Sequence, residues 1–461
     1  MKKYVLTKNY LTYLRFFAII ITAMLYVSCE DDDASGSEII IENVYLQDVN
    51  STVQDRQISF ARLGQLLRIQ GSGFTGLKKV YINGFDTFFN TVYVSDNSMV
   101  IRVSGDTPTI DAEESVRNTI RMVNNNFETT FSFEIRAAAP SIRSISNTLP
   151  NPGEQITVYG SGLLEIIKVI FPGDVEVTTD ITYDEEDGEF FTVTVPDGVS
   201  EDGGSLFIES ANGGAYSPAY FNFKKGVILD FEGSGSQGFW SWSETGSMIN
   251  DEDLESASIG SGNISQGTYV AHRPARIASF PAVSNRNSEV WTAGNDVDNW
   301  RGQLTPYIPA STPLEEVAFQ FDVYVPEAWE GSGFLKICLD NSFNGGEWSR
   351  ASYNYVPWIV NGEVEAFQTT GWTTVTVPLN MFYAFSDADY TFEDVLAYRE
   401  AANFKNFGFF FENSDFTLAN ITGNDSDSET EFASSPTSVN VYTDNWRIVS
   451  LETPTFSDFP E

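Results

Sequence analysis

The sequence predicts an all-β chain of sandwiches in series, and three observations predict it. Beyond residue 38, short runs of alternating or β-branched apolar residues are separated by Gly, Pro, Asn and Asp turns. No segment sustains a helical apolar stripe over several turns. Two stretches of the chain repeat one another, and a third, about as long as both together, holds all nine tryptophans. The pattern fits two small sandwiches followed by a larger one.

The chain opens with a leader rather than a domain. Lys2, Lys3, Lys8 and Arg15 precede an uncharged run of twelve residues, Phe16 to Val27, that ends in Ser28-Cys29. A helix needs roughly 20 apolar residues to cross a bilayer, so this run fits the core of an export signal, residues 1–28. A small residue just before a cysteine resembles the lipobox of bacterial lipoproteins, which implies a lipid anchor at Cys29. The following Glu30-Asp31-Asp32-Asp33 resembles the acidic export signal of Bacteroidetes lipoproteins. That resemblance implies a linker, 29–38, holding the protein on the outer face of the outer membrane. With Cys29 acylated, Cys338 has no disulfide partner; in FLKICL it reads as a small buried apolar residue.

The repeated units span 39–136 and 137–225. The first carries LLRIQGSGFTGLKKVYING and the second QITVYGSGLLEIIKVIFPG. In each, a strand ends in Gly-Ser-Gly, an apolar residue follows (Phe74 or Leu163), and a second strand turns at Gly84 or Gly173. Glycine allows positive φ and close backbone approach at such points. This arrangement resembles the IPT/TIG immunoglobulin-like fold, which implies a stalk and by itself assigns no function.

The last unit, 226–461, opens with VILDFEG and closes with VNVYTDNWRIVSL. Its alternating TVTV and VNVY segments fit a jelly-roll sandwich of two sheets. The segments Tyr355 to Gly362 and Gly371 to Leu379, with Asp444-Asn445, resemble the C-terminal glycan-binding domain of surface glycan-binding proteins that work beside starch-utilisation-type outer-membrane transporters. The resemblance implies a non-catalytic protein that captures a neutral glycan, a β-glucan or xyloglucan, for an uptake system, with an outer-membrane transporter complex as partner.

Charge and composition narrow the alternatives. There are 26 Lys and Arg against 64 Asp and Glu, a formal charge of −38, which argues against nucleic acid and mildly favours a neutral polymer. A single histidine, His272, excludes a His-cluster metal site, and no G-x-S-x-G elbow accompanies it. No catalytic residue, metal ligand or cofactor is therefore assigned. Two other readings stay open: a glycosidase using a carboxylate pair, and an adhesin or assembly protein that binds another protein.

A polymer of sugar rings needs exposed aromatics in a row, with polar groups for the hydroxyls. Trp291, Trp300 and Trp348 lie among Asn, Asp, Gly, Ser and Arg, where exposure would need a reason. Tyr353 and Tyr355, two apart, share a strand face, and Trp358 follows Pro357 just beyond them. These six form the expected platform, with Arg301, Gln303, Asn341 and Arg350 as hydroxyl partners. Trp329, Trp372 and Trp446 read as core, while Trp240 and Trp242 fit either a platform or a domain edge. Asp230, Glu232 and Asp444 are hard oxygen donors near the first and last strands, where such modules often hold calcium, but acids also fall there by chance and no ion is assigned.

Overall fold

The computed structural model describes residues 37–48, 53, 55–184, 187–233, 235, 239–240, 247–260, 267–277, 286–293, 298–342, 351–386, 389–422 and 431–458. The leader, Cys29 and the acidic linker lie outside them. The chain forms two compact units, 1–138 and 139–461.

The first unit is a sandwich of two four-stranded sheets. One is built on Ile40–Leu46, Leu66–Ser72 and Ser98–Arg102, the other on Lys79–Ile82, Thr119–Val123 and Glu128–Ser132. Alternate residues, among them Leu67, Ile69, Val80, Ile82, Ile120 and Met122, are buried, as a period of two demands.

The second unit begins with the same plan. Ser141–Ile145, Gln155–Ser161 and Phe190–Thr194 lie in one sheet, with Ile166–Phe171 and Phe207–Ser210 in the other. The shared Gly-Ser-Gly has one physical cause in both copies. A Cβ at Gly71 would lie 1.9 Å from the carbonyl oxygen of Ile40, and one at Gly160 would lie 1.8 Å from that of Ser141. The first strand of each sandwich crosses so close that only glycine fits. Phe74 and Leu163, which follow, are both fully buried.

The C-terminal sandwich packs two sheets over one large core. One sheet runs Leu254–Glu255, Tyr269–His272, Val441–Ser450, Val317–Tyr324, Thr373–Pro378, with Val227–Leu229 also paired to Val441–Ser450. The other runs Phe239–Trp240, Asn287–Thr292, Gly408–Glu412, Phe334–Cys338, Ser352–Tyr355. Three helices among the described residues depart from the all-strand expectation, Trp300–Leu304, Leu418–Thr422 and the longest, Phe392–Ala401. Phe392–Ala401 starts at a capping box between Thr391 and Asp394 and buries Phe392, Val395, Leu396 and Arg399. The buried arginine hides the i, i+3, i+4, i+7 stripe from an apolar pattern search.

The two sandwiches of the second unit share a core. Ala318 and Val449 of the C-terminal one pack with Ile145, Val158 and Phe221 of the one before it. At the centre of the junction Arg447 is fully buried. Its Nη2 donates to Thr148 Oγ1 (2.7 Å), Asp322 Oδ1 (2.9 Å) and Thr374 Oγ1 (3.0 Å). Its Nε donates to Gln320 Oε1 (3.2 Å) and its Nη1 to the carbonyl of Asn445 (2.5 Å). The Thr374 amide donates to the carbonyl of Ser146 at 2.7 Å.

Candidate glycan-binding face

The sheet containing Phe334–Cys338 and Gly408–Glu412 separates its two faces cleanly. Leu335, Ile337, Phe409 and Phe411 enter the large core. Between them, Lys336, Cys338, Phe410 and Glu412 fall on the opposite face, where Cys338 and Phe410 form a small separate cluster with Trp291 and Met248. A Cβ at Gly408 would sit 2.7 Å from Cε3 of Trp291, so glycine lets the indole lie across the neighbouring strand. Phe410 continues this floor, its ring centroid 6.5 Å from that of Trp291.

Polar groups border the floor. The Arg286 guanidinium lies 5.7 Å from the Trp291 ring centroid and 5.4 Å from that of Phe410. Glu289 accepts a hydrogen bond from Trp291 Nε1 at 2.9 Å and pairs with Arg286. Lys336 and Glu412 form a half-buried ion pair at 2.8 Å, with Asn354 opposite Lys336 in the sheet. Burial lowers the Arg286 guanidinium to about 10 and pushes the Cys338 thiol up to about 12. Trp291 and Phe410 are themselves buried, so it is the half-buried mixed-sign charges and the amide beside them that suit a polyhydroxyl ligand.

The expected platform is largely dispersed. Trp291 is on this face but 0% exposed, so it is floor and not an exposed stacking ring. Trp300, 3% exposed, is packed between Arg399 and Phe407, well inside the fold. Tyr353 and Tyr355 do share a face, but it is the core face: their rings contact Phe382 and Phe321. Trp358 is 1% exposed and donates its indole N–H to the carbonyl of Gly333 at 2.9 Å. Arg301 is held by Glu393 and Glu400 (2.6 and 2.7 Å), and Gln303 follows it on the short helix Trp300–Leu304. Asn341 is buried, its amide N–H donating to the carbonyl of Phe404. Trp348, Arg350 and Trp242 lie outside the described residues; the backbone of Trp240 pairs opposite Trp291. Trp329, Trp372 and Trp446 are buried, as their core reading requires. The sequence reading missed Arg286, Lys336, Phe410 and Glu412, although a charge inside an apolar strand, as in FLKICL, marks the side that faces away from the core.

Residues 221–450 match the model of the surface glycan-binding protein B xyloglucan binding domain. Those residues belong to this family. An IPT/TIG domain-containing protein of Bacteroides ovatus is 24% identical over 222 residues, 46% of this chain and 44% of its own. The chain thus spans less than half of that relative's length. The surface glycan-binding protein PbSGBP-B of Prevotella bryantii has the same fold, with a TM-score of 0.60, 17% identity, and coverage of 90% of this chain and 99% of that one. SGBP-B from a complex xyloglucan utilization locus in Bacteroides uniformis covers 90% of this chain and 100% of its own, with a TM-score of 0.46 and 16% identity.

Within this glycan-binding domain His272, Asp230 and Asp444 are buried and engaged. His272 is 0% exposed between Ser288 Oγ (2.8 Å) and Thr443 Oγ1 (2.9 Å), and burial lowers its pKa to about 3. It is a neutral core residue, closed to any substrate. Burial, with Glu232 and Asp322 nearby, holds the Asp444 carboxyl well above the usual carboxylate range. Asp230 Oδ1 accepts from the amides of Gly233 and Gly235, both at 3.1 Å. Among the described residues no group of three or more His, Cys, Asp or Glu is placed to hold a metal ion.

Proposed function

We propose that this protein is a non-catalytic, surface-displayed polysaccharide-binding lipoprotein that captures a neutral β-glycan, with xyloglucan the first candidate, for an outer-membrane uptake system. The observation that carries the reading is the face of the sheet opposite the core, where half-buried Arg286, Lys336, Glu412 and Asn354 lie beside buried Trp291 and Phe410. The family of residues 221–450 supplies the ligand class. Trp348 and Arg350 fall within the sequence 339–351 that joins Phe334–Cys338 to Ser352–Tyr355, two strands of this sheet. We assign Trp348 the stacking role and Arg350 a hydroxyl contact. The anchor is Cys29, the acidic residues after it direct outward display, and a transporter complex receives the captured chain.

Native affinity electrophoresis of the full chain over xyloglucan, mixed-linkage β-glucan, xylan and mannan tests this. Retention by xyloglucan or the β-glucan is expected, with loss in Trp348→Ala and in Lys336→Ala/Glu412→Ala. Equal mobility in every gel overturns the glycan reading. Release of reducing sugar from a retained polymer overturns the non-catalytic one.

A further inference from the structure

The first sandwich carries an apolar loop that its core does not use. Thr87 to Ser95, TFFNTVYVS, holds no charged residue in a chain that is 20% charged. Phe88 is 85% exposed, Val92 81% and Tyr93 62%, and the short helix Thr91–Tyr93 buries none of its residues. The backbone beneath them is nevertheless held. Asn90 Oδ1 accepts from the Val92 amide (3.0 Å), the Asn90 carbonyl from the Tyr93 amide (3.0 Å) and the Thr91 carbonyl from the Val94 amide (3.2 Å). The apolar side chains are thus presented outward on a fixed frame, and a cluster of this kind marks an interaction surface.

The loop stands at the end of the sandwich where the chain enters. The Thr87 amide donates to the carbonyl of Val80 (2.8 Å) as the loop begins, and the Asp96 and Asn97 carbonyls accept from the amides of Phe74 (3.1 Å) and Gly71 (3.0 Å) as it ends. Gly71 and Gly73 in turn lie against Ile40 and Glu38, whose carbonyl oxygens would be 1.9 and 2.1 Å from a Cβ placed on them. The Ser37 carbonyl accepts from Asn124 Nδ2 at 2.9 Å, in the turn that also presents Phe127. Ile40 and Phe127, both exposed, add to the apolar surface of this end. Val53 and Ile110 are exposed at the opposite end: Val53 falls between the paired residues Leu46 and Arg56, and Asn83 Nδ2 donates to the carbonyl of Pro108.

The place of the anchor selects the occupant. Cys29 stands eight residues before Ser37. A chain spans at most about 3.5 Å per residue, so an acyl group on Cys29 holds this end of the sandwich within about 30 Å of the bilayer. With a formal charge of −38 the protein gains nothing from anionic headgroups, so any direct contact with the lipid has to be apolar. An uncharged loop with two aromatic rings and a valine pointing outward meets that requirement, and a tyrosine suits the interface with its ring in the apolar layer and its hydroxyl in water. A lipid anchor fixes distance; a second contact also fixes which end of the sandwich meets the bilayer.

We propose that Phe88, Val92 and Tyr93 form a membrane-docking tip, which enters the headgroup boundary of the bilayer that holds the anchor and sets this end of the first sandwich against it. The proposal rests on the Cys29 anchor for its occupant and on the loop geometry for its site. In the test, the mature chain 29–461 is coupled through Cys29 to a maleimide bearing one myristoyl-length chain. Cys338 is buried, with its thiol pushed up to about 12, and does not react. A lone chain of that length binds only marginally, at roughly 10⁴ M⁻¹, so a second contact is readily seen. Partition onto phosphatidylcholine vesicles is read by flotation. The variant Phe88→Ser/Val92→Ser/Tyr93→Ser should partition at least about tenfold less than the wild type, and Phe88→Glu alone should change it in the same direction, while Val53→Ser/Ile110→Ser partitions like the wild type. All three variants should keep the wild-type melting temperature, since the side chains are exposed. Equal partition of the wild type and the loop variant overturns the proposal, as does an equal loss in the opposite-end variant. Loss of xyloglucan retention in the loop variant with partition unchanged also overturns it, and makes the loop a glycan contact instead. Cell fractionation reports separately on the anchor: if Cys29→Ala leaves the membrane while the loop variant partitions like the wild type, only the loop assignment fails, and if Cys29→Ala stays on the membrane while the loop variant loses its partition, only the anchor reading fails.

Discussion

Replacing Arg447 by Met should uncouple the two sandwiches of residues 139–461. The substitution removes five hydrogen bonds, to Thr148, Asp322, Thr374, Gln320 and the carbonyl of Asn445. Its main effect is on Asp322, whose side chain is 5% exposed and would keep its charge without its cation. Asp322 still accepts from Thr374 Oγ1 (2.8 Å) and Asn445 Nδ2 (3.1 Å), which softens the loss. Breaking one partner from a buried ion pair costs about 3–5 kcal/mol, and with those two bonds retained the lower end, about 3 kcal/mol, is expected. Asp322→Asn in the same chain removes the orphaned charge and should restore at least half of that loss. The assay is urea unfolding of residues 139–461, followed by tryptophan fluorescence, which reports only on the C-terminal sandwich, and by far-UV circular dichroism, which reports on both. The wild type should give one coincident transition. A loss below about 1 kcal/mol in Arg447→Met, or no recovery on adding Asp322→Asn, refutes the account of the junction.

Further outcomes follow from burial and titration. Trp358→Ala should cost about 3–5 kcal/mol by opening a cavity in the core, with Trp372→Ala similar, whereas Trp348→Ala should leave the melting temperature unchanged and reduce glycan retention; thermal melts beside affinity gels separate these. The Asp444 carboxyl is raised by folding, so the wild type loses stability as pH rises through that folded value. Asp444→Asn should therefore be the more stable chain at neutral pH, and the advantage should vanish below the ordinary carboxylate value of about 4 in urea titrations at both pH values. His272 is depressed from 6.5 to about 3, so its contribution is intact above 6.5 and falls as acid protonates the unfolded chain. His272→Gln should remove about 2 kcal/mol of acid sensitivity between pH 6.5 and 5, read from urea midpoints. Cys29→Ala should move the protein from the membrane fraction to the soluble one, as immunoblots of fractionated cells would show.

Much of the architecture was legible because short-range backbone constraints write it into the chain. Gly71 and Gly160 stand where a neighbouring carbonyl leaves no room for a Cβ, and that need repeats with each sandwich. The candidate site was harder to read because polar neighbours in sequence do not imply exposure. Beside Trp300, Asn299 caps the following helix through a hydrogen bond to the Gly302 amide at 2.9 Å, and Asp298 is the partner of Arg399. Around Trp291 every residue of Asn287–Thr292 is buried, polar ones included, since both faces of that strand are covered. Alternation placed Tyr353 and Tyr355 together, yet a period of two says nothing about which side is the core. Trp358 follows a proline in a turn, and its indole is buried because the turn folds it back on Gly333.

The shared core at the junction also has a mechanical meaning. Val441–Ser450 lies between Tyr269–His272 and Val317–Tyr324, and the chain just after it continues the same seam: Leu451 donates to the carbonyl of Glu316 at 2.7 Å, and Glu452 accepts from the Ala219 amide at 2.9 Å. A force passed from the C-terminal sandwich to the one before it would be shared among these strands and the Arg447 cluster. With core and hydrogen bonds shared across the seam, the two sandwiches should turn and translate as a single rigid piece.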